Sequence, residues 1–575
     1  MTQRPPDTPA EEPDGGNLQD WLRGGPKQVN QTGLINNNGS GQEEQNICST
    51  LSLLCERYGM HTAFYLPDVA RDCKVTYSEF FRGVCAGAAW LRQTGVKAGH
   101  RILICLDNSV DTMIVAFACM YLDATPAIVG TRLKISEIEH MISDVGPTII
   151  VTISKYRALI EGASVSIREV KVISCQLGGE DSCSAGERLP TIEILCSTTF
   201  QHEQLEIADP KHPALILYTS GTTAHPKGVV ISHSHMVWAG ESNARALGIG
   251  VEDVALVFCP LWHVMGLSYQ VLASLFAGGG IVLRRMFDPT LFWKDANEFG
   301  CTWTAVLPYV CFALRGVEVP QSHTFRFWAF PCRYEDVEAV FRVPTVGWWG
   351  MTELFAIGCI TENGTSKGTN LSVGRPVAGY EVRLTDATAG EGPLANAQSG
   401  ELQIAGVRGQ TLFVEYLNNK EDTAAAFSND GWYRTGDRFC EAPSGELIFQ
   451  VREKDIIKTG GENIAAAEIE RAAYESGVVD ESAAVGKQNT VFSEVPVIFV
   501  ILKDEWRAQQ ARARQIIMAA CRQKLSDFKM PREIIVLDEF PRSGLGKISK
   551  QKLREFLHAK QPISSEQSGG PPPSV

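Results

Sequence analysis

The chain runs Ala214-Leu215-Ile216-Leu217-Tyr218-Thr219-Ser220-Gly221-Thr222-Thr223-Ala224-His225-Pro226-Lys227-Gly228 through its most informative stretch. The apolar opening of this stretch predicts a buried strand. The turn that follows combines glycine, which lets a ligand approach the backbone closely, with small hydroxyl side chains that donate hydrogen bonds. Lys227 adds a point charge suited to phosphate. We therefore interpret residues 219–228 as a phosphate-binding loop, which is typical of a protein that binds a nucleoside triphosphate.

The spacing within the loop distinguishes it from a Walker A loop. A Walker A loop has the order G-x-x-x-x-G-K-[S/T], in which the lysine opens a helix and a hydroxyl follows it. Here Lys227 precedes Gly228, and the hydroxyl side chains come before the lysine. The pattern therefore disfavours the P-loop NTPases. A plain polar turn is the alternative interpretation, and the run of small residues ending in Pro-Lys-Gly disfavours it.

Length and composition bound the class of protein. At 575 residues the chain exceeds one ordinary core, so two or more domains are expected. Apolar residues make up 44% and charged residues 21%, as in soluble globular enzymes. The net charge of −13 disfavours nucleic acid as a partner, because phosphate backbones need basic surfaces. Sixteen cysteines without a C-x-x-C pair predict reduced thiols in a cytoplasmic protein.

The two ends and the most apolar window carry no membrane signal. Residues 1–46 are rich in Pro, Gly, Asn, Gln and Glu, which predicts a disordered leader, and residues 561–575 predict a disordered tail. The window Met113 to Gly130 is interrupted by Asp123 and Pro126 and is too short to cross a bilayer. We expect no integral membrane segment.

Hydrophobic patterning predicts an α/β fold. From about residue 47, short β-branched runs such as Arg101–Cys105 alternate with helical segments such as Leu291–Phe299, which predicts parallel sheets covered by helices. From about Glu381 the strands shorten, which predicts a β-rich subdomain. Beyond it we expect a small α+β unit with helices at 465–475 and 505–524. The predicted domains are therefore residues 47–451 and 452–560.

Six further segments carry side chains suited to nucleotide chemistry. They supply aromatic faces, carboxylates at strand ends or in glycine turns, and small-residue loops, one of which presents a lysine. The segments are Pro260-Leu261-Trp262-His263, Trp349-Gly350-Met351-Thr352-Glu353, Gly431-Trp432-Tyr433-Arg434-Thr435-Gly436-Asp437, Arg452-Glu453-Lys454-Asp455, Lys458-Thr459-Gly460-Gly461-Glu462-Asn463 and Pro541-Arg542-Ser543-Gly544-Leu545-Gly546-Lys547.

In this order, the seven segments resemble the signature of the adenylate-forming superfamily, over about residues 47–560. Residues 406–416 and 457–463 look closest to the crotonobetaine/carnitine–CoA ligase branch and its fatty acyl-CoA relatives. The resemblance implies a large N-terminal domain with two parallel-type sheets and a mobile C-terminal domain. It also implies ATP, Mg²⁺ and CoA as cofactors. A carboxylic acid would attack the α-phosphate of ATP to give acyl-AMP and pyrophosphate, and the thiol of CoA would then displace AMP.

The resemblance also assigns the phosphate contacts. The β- and γ-phosphates would be held by a group of loop residues: Thr219, Ser220, Gly221, Thr222, Thr223 and Lys227. Thr352 would contact the α-phosphate and Glu353 would ligate Mg²⁺. Glu353 could instead be a carboxylate at a helix N-terminus, stabilised by the helix dipole.

The remaining roles divide between the nucleoside, the acyl group and the second step. Adenine would lie against the Trp349-Gly350-Met351 segment, and the ribose against Asp437 and Arg452. Lys547 would bridge the acyl carboxylate and the phosphate during adenylation. His263 would gate the acyl site. A swing about Lys454 would then bring Gly460 and Gly461 to the pantetheine path.

Several departures and alternatives stay open. Ala224, Val451 and the segment Trp328–Arg333 differ from the usual family residues near the nucleotide. The acyl pocket is expected at residues 262–267, 306–309, 328–330 and 348–357. A cluster of tryptophans there could cage a quaternary ammonium group or simply pack in the core. We expect a small to medium, largely apolar acid. A carrier-protein phosphopantetheine could replace CoA, or the chain could bind nucleotide without catalysis.

Overall fold

The structure is a computed structural model that describes residues 45–131, 135–163, 171–175, 208–219, 226–362, 369–386, 390–393, 399–452, 456–459, 462–489, 493–525, 529–542 and 547–559. Several predicted features lie outside these residues. They are the leader up to residue 44, the tail from 561, the loop residues Ser220, Gly221, Thr222 and Thr223, and Lys454, Gly460 and Gly461. Asn46, assigned to the leader from the sequence, is buried and caps the first helix, so that assignment extends too far.

The helices cover both faces of the main sheets. Their bounds are α1 Ile47–Tyr58, α2 Tyr77–Gln93, α3 Val110–Tyr121, α4 Ile135–Val145, α5 Ser154–Ala163, α6 His233–Leu247, α7 Ala273–Ala277, α8 Pro289–Glu298, α9 Pro308–Leu314, α10 Glu335–Phe341, α11 Lys420–Ala425, α12 Ala466–Tyr474, α13 Gln510–Lys524 and α14 Lys550–Ala559. A π-helix, Met265–Leu272, leads into α7, and a 3₁₀-helix, Asp504–Gln509, leads into α13.

The strands alternate with these helices in the first part of the chain. Their bounds are β1 Thr62–Tyr65, β2 Lys74–Thr76, β3 Arg101–Cys105, β4 Thr125–Ile128, β5 Ile149–Ile153, β6 Lys171–Cys175, β7 Pro213–Tyr218, β8 Gly228–Ser232, β9 Val254–Val257, β10 Gly280–Leu283, β11 Trp303–Ala305, β12 Phe327–Phe330, β13 Thr345–Gly350, β14 Ile357–Ile360, β15 Arg375–Pro376, β16 Glu381–Asp386, β17 Gly390–Pro393, β18 Gly400–Ala405, β19 Glu415–Tyr416, β20 Tyr433–Glu441, β21 Leu447–Arg452, β22 Ile456–Thr459, β23 Glu462–Ala465, β24 Val479–Asn489, β25 Ser493–Leu502 and β26 Glu533–Val536.

The strands form four sheets, which confirms the predicted α/β class. A seven-stranded sheet has the order β19-β8-β7-β4-β3-β5-β6 and a nine-stranded sheet the order β15-β14-β13-β12-β11-β9-β10-β1-β2, and both are parallel in their centres. The β-rich subdomain is an antiparallel sheet, β17-β16-β18-β20-β21. The last sheet, β23-β22-β25-β24 with β26 beside β25, belongs to residues 456–559, which we call the C-terminal lobe.

The apolar window Met113 to Gly130 forms a buried helix and a strand. Helix α3 buries all but two of its residues, and β4 is buried throughout. Gly87 of α2 lets the two helices approach closely, because a Cβ there would stand 3.2 Å from the Cβ of Ala118. None of the described helices is long and apolar enough to cross a membrane.

The C-terminal lobe has hydrophobic clusters of its own. Ile464, Ile469 and Val500 belong to one cluster, and Phe499, Leu553 and Leu557 to another. The predicted helix over residues 505–524 is wrong in its first turns, because the chain is 3₁₀ up to Gln509. No residue of that 3₁₀ segment is buried, so little packing holds it in an α-helix.

Candidate active site

The predicted phosphate loop connects strands β7 and β8, which pair antiparallel. Strands β7 and β8 pair with Tyr218 opposite Gly228, and the backbone N–H of Thr219 donates to the carbonyl of Lys227 at 3.0 Å. A Cβ at Gly228 would stand 3.2 Å from Leu417, so the loop base packs tightly against β19. The strand predicted before the loop is therefore confirmed, and Thr219 and Lys227 lie at the two ends of the turn.

Lys227 is held by the segment that follows β19. Its ammonium lies 2.6 Å from Oδ2 of Asp422 and 5.0 Å from the ring centroid of Tyr416. Asp422 is in the first turn of α11, where its backbone N–H donates to the Asn419 side chain at 2.9 Å. The hydrogen bond from Lys227 is the main cause that lowers the pKa of Asp422. The loop cation is thus held in place by a carboxylate and an aromatic face.

Glu353 is a buried carboxylate at the end of β13. Only 6% of Glu353 is exposed, and its Oε1 accepts a hydrogen bond from the Tyr416 hydroxyl at 2.8 Å. The backbone N–H of Phe413 donates to the Glu353 carbonyl at 2.9 Å. The turn around Glu353 leads into β14 instead of a helix, so the alternative of a helix N-terminal carboxylate is excluded. Tyr416 contacts both Lys227 and Glu353.

Trp349 and Asp437 form a second buried pair. The indole N–H of Trp349 donates to Oδ2 of Asp437 at 2.9 Å, and 9% and 2% of the two residues are exposed. Phe439 meets the Trp349 ring edge-on, at a centroid distance of 5.3 Å. Asp437 pairs through its backbone with Arg452 across β20 and β21. The structure therefore adds a role for the indole N–H, which anchors the carboxylate.

These contacts place the site where three sheets meet. Glu353 and Trp349 come from the nine-stranded sheet, Tyr416 from the seven-stranded sheet and Asp437 from the antiparallel sheet. Gly350 is the last residue of β13, and Met351 and Thr352 follow it in the turn that holds Glu353. A Cβ at Gly350 would clash with the Tyr269 hydroxyl, so the end of β13 packs closely on the π-helix. Two predicted site residues, Trp349 and Asp437, are therefore in direct contact. Lys227 and Glu353 are linked through Tyr416, which contacts both.

His263 lies in a turn that precedes the π-helix. Its Nδ1 accepts a hydrogen bond from the backbone N–H of Met265 at 3.1 Å. In the neutral ring the proton is then on Nε2. Asn108 fixes the turn by accepting from Leu261 N–H and donating to the Cys259 carbonyl, both at 2.9 Å. The half-buried imidazole therefore has a fixed orientation.

The C-terminal lobe contacts the main body at Arg315 and Tyr334. Arg315, at the end of α9, forms an ion pair with Asp480 of β24, and Tyr334 hydrogen-bonds to Tyr474 of α12. Lys547 is exposed on the lobe, next to the bridge between Arg542 and Ile548. The site residues Lys454, Gly460 and Gly461 of this region are outside the described chain.

Three tryptophans of the central region pack against other aromatic rings. Trp293 and Trp328 pack with Phe292 and Phe325, and Trp303 stacks on Phe327 at 5.7 Å. Trp303 and Trp328 are fully buried. The expectation that Trp328 lines the acyl pocket is therefore wrong, because its ring is part of a packed aromatic core. Ordinary packing, not a cation cage, explains these three rings.

Three contact residues were missed at the sequence level. The sequence motifs include Tyr416 and Tyr433 without a role for either side chain, and they do not include Asp422. One signal was available, since Glu415-Tyr416 ends an apolar run that reads as a strand and is followed by Asn419, a residue typical of helix N-caps. The contacts themselves span 63 residues in the case of Tyr416 and Glu353. Local patterns carry no information about such distant pairs.

His235 is a buried histidine that hydrogen-bonds to the backbone of Leu354, the residue after Glu353. His235 donates through Nε2 to the Leu354 carbonyl at 2.7 Å, and burial lowers its pKa to about 4. In the unfolded chain the pKa is about 6.5, so between these values unfolding takes up a proton. The free energy of unfolding should therefore fall as the pH drops from about 6.5 towards 4, by up to about 3 kcal/mol from this residue.

Urea unfolding at a series of pH values checks this expectation. His235→Gln keeps an N–H for Leu354 but has no titrating ring, so the difference between wild type and variant isolates His235 from the other histidines. That difference should shrink as the pH falls. An equal pH dependence in both proteins would rule out the assigned protonation state.

Comparison with known proteins places the chain in a family. Residues 54–417 match the sequence profile of the AMP-binding enzymes, and residues 468–547 match that of the AMP-binding enzyme C-terminal domain. The chain belongs to the AMP-binding enzyme family. The superfamily inferred from the motifs is thereby confirmed.

The curated relatives of this AMP-binding enzyme include CoA ligases. Sulfoacetate–CoA ligase of Cupriavidus necator is 32% identical over 351 residues, covering 60% of this chain and 67% of the relative. Crotonobetaine/carnitine–CoA ligase of Salmonella paratyphi A is 26% identical over 525 residues, covering 89% and 99%. The predicted resemblance to the crotonobetaine/carnitine–CoA ligase branch is therefore confirmed.

Solved structures show the same fold. ATP-bound MatB from Rhodopseudomonas palustris superposes with a TM-score of 0.77 at 22% identity, covering 89% of this chain and 99% of that chain. Mycobacterium tuberculosis fatty acyl CoA synthetase superposes with a TM-score of 0.69 at 25% identity, covering 90% and 99%. The predicted architecture, a large N-terminal and a small C-terminal part, is confirmed.

Proposed function

We propose that this enzyme activates a carboxylic acid with ATP, forms acyl-AMP and pyrophosphate, and transfers the acyl group to the thiol of CoA. One observation carries the proposal. The loop cation Lys227 and the buried carboxylate Glu353 converge on Tyr416, at the base of a hairpin loop built for phosphate. Relatives named as CoA ligases support the same reaction class.

The first step needs charge stabilisation at the α-phosphate. A carboxylate is a poor electrophile, so the acid is first converted to a mixed anhydride with AMP. Negative charge gathers as the acid oxygen attacks, and the side chains that face it must offset that charge. Thr219 and Lys227, with Ser220, Gly221, Thr222 and Thr223, hold the β- and γ-phosphates. Thr352 donates to the α-phosphate.

Glu353 fits the requirements of a Mg²⁺ ligand. Its carboxylate supplies hard oxygen donors, and the Tyr416 hydroxyl fixes one of them. Among the described residues, no group of three or more acidic, histidine or cysteine side chains could hold a metal by itself. One carboxylate together with substrate phosphates is the usual way in which proteins bind Mg²⁺. When bound, the ion neutralises charge on the triphosphate.

The nucleoside is held by the Trp349 and Asp437 pair. The Asp437 carboxylate accepts hydrogen bonds from the two ribose hydroxyls, and Arg452 lies beside it. Adenine lies against the Trp349-Gly350-Met351 segment. The indole N–H keeps the carboxylate in position at 2.9 Å. Because this hydrogen bond involves a buried charged group, its loss should weaken ATP binding and leave the chemical step almost unchanged.

Trp349→Phe tests this arrangement by removing the N–H and keeping an aromatic ring. We expect the KM for ATP to rise about tenfold, the size of one hydrogen bond to a charged group, with kcat within about twofold. Trp432→Phe is the control, because Trp432 lies under Arg383 at 4.4 Å and outside the pair. Steady-state kinetics at saturating acid and CoA measure both values. An unchanged KM would remove Asp437 from the ribose site.

The C-terminal region supplies different residues to the two steps of the reaction. Lys547 reaches the acyl carboxylate and the phosphate during adenylation, where its charge is strongest in a dry site. A swing about Lys454 then withdraws it and brings Gly460 and Gly461 to the pantetheine arm of CoA. His263 gates the acyl site. The two predicted domains, residues 47–451 and 452–560, move relative to each other in this cycle.

The substrate is a small to medium, largely apolar acid. The tryptophans that would cage a quaternary ammonium group are partly committed to the core, which supports this choice over a betaine-type acid. Thirteen of the described cysteines form no disulfide, which supports a cytoplasmic location, and the net charge of −13 supports a reaction without nucleic acid.

An ATP–pyrophosphate exchange screen tests the function. The panel should hold short, medium, long-chain, aromatic, betaine and sulfonate carboxylic acids, each with and without CoA. Exchange that depends on an apolar acid, followed by thioester formation with free CoA, supports the proposal. If exchange occurs but no thioester forms with free CoA, and the acyl group is instead transferred to a phosphopantetheine carrier, then the carrier is the acceptor in place of CoA. ATP binding without exchange on any acid would make the chain a binding protein.

A further inference from the structure

Tyr416 contacts both of the oppositely charged side chains of the site, Lys227 and Glu353. Only 8% of it is exposed, and its hydroxyl lies 2.8 Å from Oε1 of Glu353. The ammonium of Lys227 lies 5.0 Å from the centroid of its ring. One side chain therefore contacts the loop cation through its face and the buried carboxylate through its hydroxyl.

The Tyr416 hydroxyl acts as a donor to Glu353. An ionised carboxylate has no hydrogen to donate, so the phenol is the donor in this 2.8 Å hydrogen bond. Tyr433, which is fully buried, hydrogen-bonds to Tyr416. Since the single proton of Tyr416 points to Glu353, Tyr433 must be the donor in that second bond. The result is a chain of hydrogen bonds that runs from Tyr433 through Tyr416 to the carboxylate.

Backbone pairing fixes Tyr416 relative to both charges. Tyr416 pairs with Val229 of β8, and the N–H of Leu417 donates to the Gly228 carbonyl at 2.7 Å. On the other side, Phe413 N–H donates to the Glu353 carbonyl at 2.9 Å. The strand that carries Tyr416 therefore joins the phosphate loop to the turn of Glu353.

Lys227 and Glu353 contact different parts of Tyr416 and have different partners. An ammonium and a carboxylate that meet in a buried site form an ion pair, and each is then less available to a ligand. Here the ammonium pairs with Asp422 at 2.6 Å, while the carboxylate receives a neutral hydroxyl. Glu353, which receives a neutral hydroxyl and not the ammonium, thus keeps its charge for a metal.

We infer that Tyr416 is a positioning residue of the adenylation site, which orients Glu353 for Mg²⁺ and contacts Lys227 through the face of its ring. The inference rests on the proposed function for the identity of the ligands. Residues that hydrogen-bond to a metal-ligating carboxylate set its orientation, and their loss costs about 10–100-fold in metal affinity. Tyr416 should therefore act on the metal dependence of ATP binding more than on protein stability.

Tyr416→Phe separates the two parts of this role, because it keeps the ring under Lys227 and removes the hydroxyl. Calorimetric titration should show unchanged affinity for metal-free ATP. The gain in ATP affinity on adding Mg²⁺ should fall about tenfold or more. Tyr416→Leu also removes the ring, so metal-free ATP should bind more weakly as well. Tyr433→Phe should reduce the Mg²⁺ gain in the same direction by a smaller factor, and it repeats the test should Tyr416→Phe fail to fold.

Tyr77→Phe is the matched control. It removes another buried hydroxyl, which donates to the Gly279 carbonyl at 2.8 Å, and should leave the Mg²⁺ gain unchanged. Equal loss of metal-free and Mg²⁺-dependent ATP binding in Tyr416→Phe, or no loss of either, would overturn the inference. Because these titrations need no acid, they are distinct from the acid screen. Absence of exchange on every acid would refute the ligase proposal even where Tyr416→Phe behaves as expected.

Discussion

Replacing Lys547 with alanine is expected to lower the rate of adenylation by about 10²–10³-fold, the usual cost of removing one group that stabilises developing charge. Lys547 is exposed on the C-terminal lobe, so it makes a small contribution to folding and the variant should remain stable. In the proposed cycle the second step does not use this lysine. Synthetic acyl-AMP and CoA should therefore still give thioester at close to the wild-type rate.

The split between the two half-reactions is the decisive readout for Lys547. ATP–pyrophosphate exchange measures the first step, and thioester formation from supplied acyl-AMP measures the second. Lys552→Ala is the control, since Lys552 is also exposed on this lobe, on helix α14. Equal loss of both half-reactions would mean that Lys547 supports the lobe and takes no part in adenylation.

Replacing Glu353 with glutamine is expected to lower kcat for adenylation by a similar factor of about 10²–10³ and to abolish the normal response to Mg²⁺. Glutamine has the same shape, and its carbonyl oxygen can still accept from Tyr416, which donates at 2.8 Å in the wild type. The change therefore removes charge without opening a cavity. Activity as a function of Mg²⁺ concentration, at saturating ATP, measures the effect.

Glu446→Gln is the matched control for Glu353. Glu446 is also buried and accepts a backbone hydrogen bond, from Thr369 at 2.8 Å, but it lies in the turn between β20 and β21. The control should keep the wild-type Mg²⁺ response, even if its stability falls. If Glu353→Gln keeps that response too, Glu353 is not the metal ligand.

The sequence predicted the chemical types in the site and the strands that carry them. The strand before the phosphate loop, the turn after β13 and the carboxylate after Gly436 were all expected, because small residues, apolar runs and glycine turns are local signals. The window Met113 to Gly130 was expected to be too short to cross a bilayer, because Asp123 and Pro126 interrupt it. These features depend on residues close together in the chain.

The pairing of site residues could not be predicted in the same way. Trp349 and Asp437 are 88 residues apart, and their hydrogen bond depends on how two sheets pack. The burial of Trp328 in an aromatic core, instead of the acyl region, also depends on which face of β12 meets helices α8 and α10. Tertiary packing decides such contacts, and residue spacing does not report it.

A single-turnover experiment tests the two-step reaction most directly. Enzyme, ATP, Mg²⁺ and an acid that supports exchange are mixed without CoA, quenched and analysed by mass spectrometry, and CoA is then added to a parallel sample. The account predicts acyl-AMP at about one equivalent per enzyme, with pyrophosphate, and its replacement by acyl-CoA and AMP after CoA is added. Formation of ADP and phosphate, or thioester without any acyl-AMP, would contradict it.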